Sequence, residues 1–301
     1  MSANTKLFKH VSYLWDDAKA AELAGDEVAL LIYRSNLLGA DLRLTNYGGG
    51  NTSCKVMDKD PLTGKEVEVM WIKGSGGDIG TLKKSGLAAL YVDRLRSLKN
   101  VYRGIEHEDE MVELFNHSIF DLNSKAPSID TPLHGFLPIK HIDHLHPDAA
   151  IAIAAAKDGK KITRELFNGE IGWVDWQRPG FDLGLKLKEC LDNNPGIRGI
   201  MLGSHGLFTW GDTAYESYIN TLEVIERCAQ YLEDNIGKKR STDRTDNLRR
   251  DICQCAIERA LAPEPLQPAD KRIEMPTRYR PKGENHPDQG AGRRQGADQD
   301  S

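Results

Sequence analysis

The sequence predicts a mixed α/β fold, and three observations carry that expectation. Short runs of strand-forming residues recur at residues 52–57, 66–72, 87–92, 197–202 and 207–210, each bounded by turn residues. Segments with apolar residues at helical spacing lie between and after them, at residues 26–38, 109–120, 181–191, 213–234 and 243–261. No period of roughly 20–50 residues recurs, which excludes a solenoid.

Taken in order, the first helix places Val28, Leu30, Leu31, Leu37 and Leu38 on an apolar stripe and stops before Gly39. The break Gly48-Gly49-Gly50 then leads into three strand-like runs in succession, which predict an antiparallel meander. Residues 141–146 read as extended. Residues 148–157 are almost wholly apolar and read as helix or buried strand, because periodicity alone does not separate the two. Asn193-Asn194-Pro195-Gly196 ends the helix at 181–191, and Ser204-His205-Gly206 separates the last two strands. The folded domain is expected to span residues 1–262. Six of the thirteen prolines lie at or after Pro263, and residues 276–301 lack every large aliphatic residue. Such a segment cannot bury enough apolar surface to offset ordering entropy, so residues 263–301 are expected to be a disordered or truncated tail.

Composition excludes several functions. With 301 residues, 39% of them hydrophobic and 28% charged, the chain is long enough for a substantial core. A net charge of −5 with no basic stripe leaves no electrostatic footprint for nucleic acid. No apolar h-region opens the chain and no window approaches the roughly 18 apolar residues of a membrane span, so a cytoplasmic location is expected. Five cysteines at scattered spacings argue for reduced thiols rather than a disulfide framework. Cys253 and Cys255 fall in a helical segment where they would not face each other, and read as packing residues.

The chemistry concentrates in His141-Ile142-Asp143-His144-Leu145-His146. Four of the nine histidines lie between His134 and His146. In an extended chain, residues two apart point the same way, so His144 and His146 present two imidazoles to one point. Neutral imidazole is the commonest ligand for zinc-like ions, and a catalytic centre typically uses three protein ligands with one position open. His205, at the exit of a buried strand between Gly203 and Gly206, is the candidate third ligand. Asp143 faces away from the pair and reads as an acid behind the site or at the surface, while His141, on that same opposite face, reads as a polar strand start. His134 lies four residues after Asp130 and could orient that carboxylate or simply pack. Trp173, Trp176 and Trp210 read as core or subunit-contact aromatics.

These residues resemble a known family. Asp130 followed by Leu133-His134, the His144-x-His146 pair, His205-Gly206 with Gly211 and Glu216 following, and Gly50-Asn51-Thr52-Ser53 together resemble the metal-dependent sugar-phosphate aldolases of the class II aldolase/adducin superfamily. The resemblance covers roughly residues 25–260. Lys73-Gly74-Ser75-Gly76-Gly77-Asp78-Ile79-Gly80 and Thr131-Pro132-Leu133-His134-Gly135 are most similar to the aldolase part of bifunctional rhamnulose-1-phosphate aldolase/alcohol dehydrogenase proteins. Those members carry a dehydrogenase domain after the aldolase, for which these 301 residues leave no room.

The resemblance implies a three-layer α/β/α fold with a central, mainly antiparallel sheet flanked by helices. It implies zinc at His144, His146 and His205, and phosphate contacts from Asn51, Ser75, Gly76 and Ser128. Small residues suit such loops because they expose backbone N–H groups to an anion. Ile129 stands where simpler fuculose-phosphate members have a second serine. Asp130 takes the position of the catalytic glutamate, with a side chain one methylene shorter, and is implied as the acid or base. The family also uses a tyrosine, often from a neighbouring subunit; Tyr102, Tyr215 and Tyr218 are candidates that no motif matches. The implied reaction is retro-aldol cleavage of L-rhamnulose 1-phosphate in a tetramer with sites at subunit interfaces. Epimerisation or dehydration of a sugar phosphate on the same metal, or an adducin-like module without catalysis, are the alternatives.

Overall fold

The computed structural model describes residues 8–235. The helix expected at 243–261, the Cys253 and Cys255 pair and the tail at 263–301 lie outside the described residues. Helices α1 (Asp17–Glu22) and α2 (Glu27–Ala40) open the chain. Asp26 caps α2 by accepting the Ala29 amide at 2.9 Å, which satisfies one of the donors a helix start leaves open. Strands β1 (Asn51–Lys59), β2 (Glu66–Lys73) and β3 (Leu87–Tyr91) form the expected antiparallel meander.

Short helices α3 (Val92–Ser97), α4 (Glu108–Leu114) and α5 (Thr131–Gly135) lead to β4 (His141–Leu145). The helix expected at 109–120 is shorter than its pattern, because residues 115–118 tighten into a 3-10 turn. The ambiguous apolar run is helical, as α6 (Asp148–Ala154). Helix α7 (Gly159–Phe167) and strand β5 (Ile171–Val174) follow, and neither was expected from the sequence. Helix α8 (Phe181–Asn193), strands β6 (Gly199–Leu202) and β7 (Gly206–Gly211), and helix α9 (Ala214–Asn235) complete the described chain. No helix among the described residues is long and apolar enough to cross a membrane.

The seven strands form one sheet in the order β3-β2-β1-β4-β7-β6-β5, antiparallel except for the parallel β5–β6 pair. Helices flank both faces, as the implied three-layer fold requires. On one face α5 and α8 pack on Ile142, Ile200, Phe208 and Trp210. Gly184 of α8 permits this, since a Cβ there would stand 3.0 Å from the Pro132 carbonyl carbon. On the other face α2 and α9 pack over β4 and β7, with Leu38, Leu145, Leu207 and Leu222 in one cluster. Trp210 is buried in the core, whereas Trp176 is 67% exposed.

The α2/α9 face holds a buried charge network. His141 starts β4 as expected but is fully buried, and Asp143, also fully buried, is the acid behind the site rather than one at the surface. Arg34 of α2 donates from Nε to Asp143 Oδ1 at 2.9 Å, from Nη1 to His141 Nδ1 at 2.8 Å and from Nη2 to the Ser53 carbonyl at 2.9 Å. Asp143 Oδ2 accepts from Ser217 Oγ of α9 at 2.6 Å. Burial and the adjacent Arg34 push His141 down to about 2, so it stays neutral and serves as acceptor. Removing one member of such a network strands the others without solvent. Arg34→Met is therefore expected to cost about 3–5 kcal/mol in urea unfolding, whereas breaking the exposed Lys188–Asp192 pair by Lys188→Ala shifts it by less than about 1 kcal/mol.

Candidate metal centre and active site

Strand alternation puts His144 on the sheet face opposite Asp143, and His146 follows one residue beyond the end of β4. The His144 Nδ1–H donates to the Leu207 carbonyl at 3.1 Å, which fixes the tautomer and leaves Nε2 unprotonated toward the site. The ring also stacks on Phe208, with centroids 4.3 Å apart and planes 13° apart. The Nε2 atoms of His144 and His146 lie 3.0 Å apart. His205 closes the set from the β6–β7 turn, and the three ligand atoms lie within 4.8 Å of one another.

Tight backbone makes this convergence possible. Ser204, immediately before His205, takes a left-handed φ of 54°, a conformation costly for a residue with a side chain. After it, a Cβ on Gly206 would stand 2.7 Å from both the His146 ring and the Leu145 carbonyl. Electrostatics favour a cation. Burial holds His144 well below the ordinary histidine range, lowers His205, and takes His146 to about 4. Three neutral imidazoles converging on one point fit a divalent ion, which would relieve the repulsion between facing lone pairs.

Asp130 stands just before α5. Its carboxylate accepts from Asn51 Nδ2, and its amide donates to Ser128 Oγ at 3.3 Å. Burial pushes the carboxyl up to about 6, against the lowering pull of the Lys73 charge and of the Asn51 hydrogen bond. Asn51 pairs with His144 in the β1–β4 register, so the carboxylate and the histidines belong to one end of the sheet. The predicted anion loops reach this end too. The Ser75 amide donates to the Ala126 carbonyl at 3.0 Å, laying the exposed Ser75-Gly76 loop against the segment that leads to Ser128 and Asp130.

The structure also shows what the sequence reading missed. Lys73, buried at the end of β2, exerts its charge on Asp130 and His146, and burial lowers its own proton affinity. Its only sequence signal was its place before the glycine loop. His134 does not orient the Asp130 carboxylate: its Nδ1 lies 2.8 Å from Ser53 Oγ. Of the tyrosines, Tyr218 is buried with its hydroxyl on the Leu14 amide, Tyr102 packs on Phe181, and Tyr215 lies against Trp15.

Fold and histidine cluster together place the chain among the class II aldolases. The family described as Class II Aldolase and Adducin N-terminal domain matches residues 30–232, more than half of the sequence, and the chain belongs to it. Enzymes of this class depend on a divalent metal ion, and the histidine set is where this chain could hold one. The chain is 42% identical over 228 residues to the uncharacterized oxidoreductase YuxG of Bacillus subtilis (strain 168), a match covering 76% of this chain and 32% of that protein. It thus spans about a third of that relative's length. Among solved structures it resembles the N-terminal class II aldolase domain of a conserved Thermoplasma acidophilum protein, with 28% identity, a TM-score of 0.64, and coverage of 75% of this chain and 99% of that one. A sugar-phosphate aldolase from Thermotoga maritima shares the fold at 17% identity and a TM-score of 0.51, over 72% of this chain and 99% of that one.

Two outcomes test this geometry. Gly206→Ala should reduce bound divalent metal at least tenfold in competition with a chelator, while the circular dichroism spectrum stays unchanged. For Asp130, the raised folded-state value means that stability is present below its unfolded value near 4 and is lost as pH rises through about 6. Asp130→Asn should therefore flatten the fall in stability between pH 4 and pH 7 seen by chemical denaturation.

Proposed function

We propose that this chain catalyses retro-aldol cleavage of a ketose 1-phosphate, with L-rhamnulose 1-phosphate as substrate and dihydroxyacetone phosphate and L-lactaldehyde as products. The observation that carries the proposal is the juxtaposition at one sheet end of three neutral histidines with a carboxylate raised to about 6. Zinc is the ion we assign to His144, His146 and His205. When bound there it supplies positive charge opposite the enediolate that carbon–carbon cleavage generates.

The protein's own groups do the rest. As the bond breaks, the hydroxyl of the departing carbon gives up its proton to solvent and becomes the aldehyde carbonyl, and Asp130 delivers a proton to the carbon that loses its bond partner; in the condensation direction Asp130 removes that proton and solvent returns the other. The raised proton affinity of Asp130 suits both roles near neutral pH. Asn51 holds the Asp130 carboxylate in place from β1 and, with Ser75, Gly76 and Ser128, lines the end of the sheet where the phosphate is held. The glycines at 76 and 77, both with left-handed φ, keep that loop open to an anion. The resemblance adds a tetramer with sites at subunit interfaces to this reading, and the sequence reading adds a cytoplasmic location. A histidine set this complete weighs against an adducin-like module without catalysis.

The test is a coupled assay for dihydroxyacetone phosphate across several ketose 1-phosphates, beside metal analysis of the purified protein. One zinc per chain and product from L-rhamnulose 1-phosphate are expected, with activity lost on chelation. Product from another ketose 1-phosphate alone would reject the assigned substrate, and no product from any metal-loaded sample would reject the aldolase reading. Exchange of the reacting hydrogen of dihydroxyacetone phosphate into heavy water should rise with pH through about 6 and fall at least 100-fold in Asp130→Asn.

A further inference from the structure

Helix α5, which carries Asp130 at its start, has only five residues and cannot hold its own place. It is fastened to β1 by a ladder of three polar side chains two residues apart, hence on one face of the strand. Asn51 Nδ2 donates to the Asp130 carboxylate. Ser53 Oγ lies 2.8 Å from His134 Nδ1. Lys55 Nζ donates to the carbonyls of His134 at 2.9 Å and Ile139 at 2.8 Å. All three residues of the strand are buried.

The middle rung reaches in two directions. Besides Ser53, the His134 ring packs on Phe208 with centroids 5.3 Å apart, and Phe208 is the platform on which His144 stacks. Burial, with Lys55 and Arg34 nearby, lowers the proton affinity of His134 and keeps it neutral. Its Nε2 is buried and finds no hydrogen-bond partner among the described residues. An unpaired buried nitrogen costs stability that a leucine of similar size would avoid. Packing alone therefore does not account for a histidine here, whereas a bond to Ser53 combined with contact to Phe208 does.

We propose that His134 is a positioning residue that sets the distance between the two halves of the site, holding the Asp130 helix through Ser53 and backing the metal-ligand histidine through Phe208. This rests on the reading of Asp130 as the proton carrier. The carboxylate is faced by Asn51 from β1 and by the Lys73 ammonium from the end of β2.

The test compares Ser53→Ala, His134→Leu and His134→Gln with the unaltered chain, each metal-loaded. Ser53→Ala and His134→Leu are expected to lower kcat at least tenfold, with KM and bound metal within twofold, and His134→Gln, which restores a partner for Ser53, to recover part of the loss. Independently of any substrate, the carbon-13 titration midpoint of the Asp130 carboxyl should fall from about 6 toward the ordinary carboxylate range as the loosened helix admits water. If His134→Leu fails to fold, Ser53→Ala decides. An unchanged midpoint in Ser53→Ala, or unchanged kcat in an active enzyme, overturns the proposal. An inactive unaltered chain would count against the aldolase reading, and the midpoint would still decide this one.

Discussion

The guanidinium of Arg34 is the constraint from which the rest of the site follows. From α2 it reaches Asp143 and His141 on β4 and the backbone of β1, and Asp143 passes the tie on to α9. Strand β4 is the middle strand of the sheet, and its residues alternate between a buried ionic network on one face and a candidate metal ligand on the other. A slip of one residue would send Asp143 toward the metal side and His144 into the helix layer. The clamp makes that slip costly, since it would leave an arginine and an aspartate without partners in the dry interior. The register that aims His144 is thus held from behind the sheet.

At the site itself the same low-dielectric surroundings act on each group according to its charge. Histidines become poor proton acceptors and so remain free for a cation, while the carboxyl of Asp130 gains proton affinity. Lys73 loses some of its own yet still pulls Asp130 downward. Backbone shape supplies the remaining precision. The turn holding His205 combines a left-handed Ser204 with a Gly206 that leaves no room for a side chain, so strain is concentrated next to a candidate ligand.

The sequence reading reached the strands of the meander, the helices at 181–191 and 213–234, and the convergence of His144, His146 and His205, because each has a local signature of period, spacing or glycine. It did not reach what depends on partners distant in the chain. That His141 starts its strand was legible, but its burial on a guanidinium was not, because nothing nearby announces Arg34, more than a hundred residues earlier. Helix α7 and strand β5 passed unnoticed because charged residues interrupt the one and Gly172 the other. Lys73 entered only as the start of a motif and was given no role, since a lysine at a strand end is ordinarily solvated, and only tertiary packing buries it beside a carboxylate.

Order of assembly follows from the strand pairing. The hairpins β1–β2 and β6–β7 close short loops, but Asn51 meets His144, and His144 meets Phe208, only after long stretches of chain have been brought back together. The ligand set therefore does not exist in any early hairpin. An ion that recognises all three histidines binds the finished sheet alone and acts as a latch that closes last, adding its binding energy to the native state by mass action. Metal retention by this chain would thus be a gauge of whether its longest-range pairings have formed.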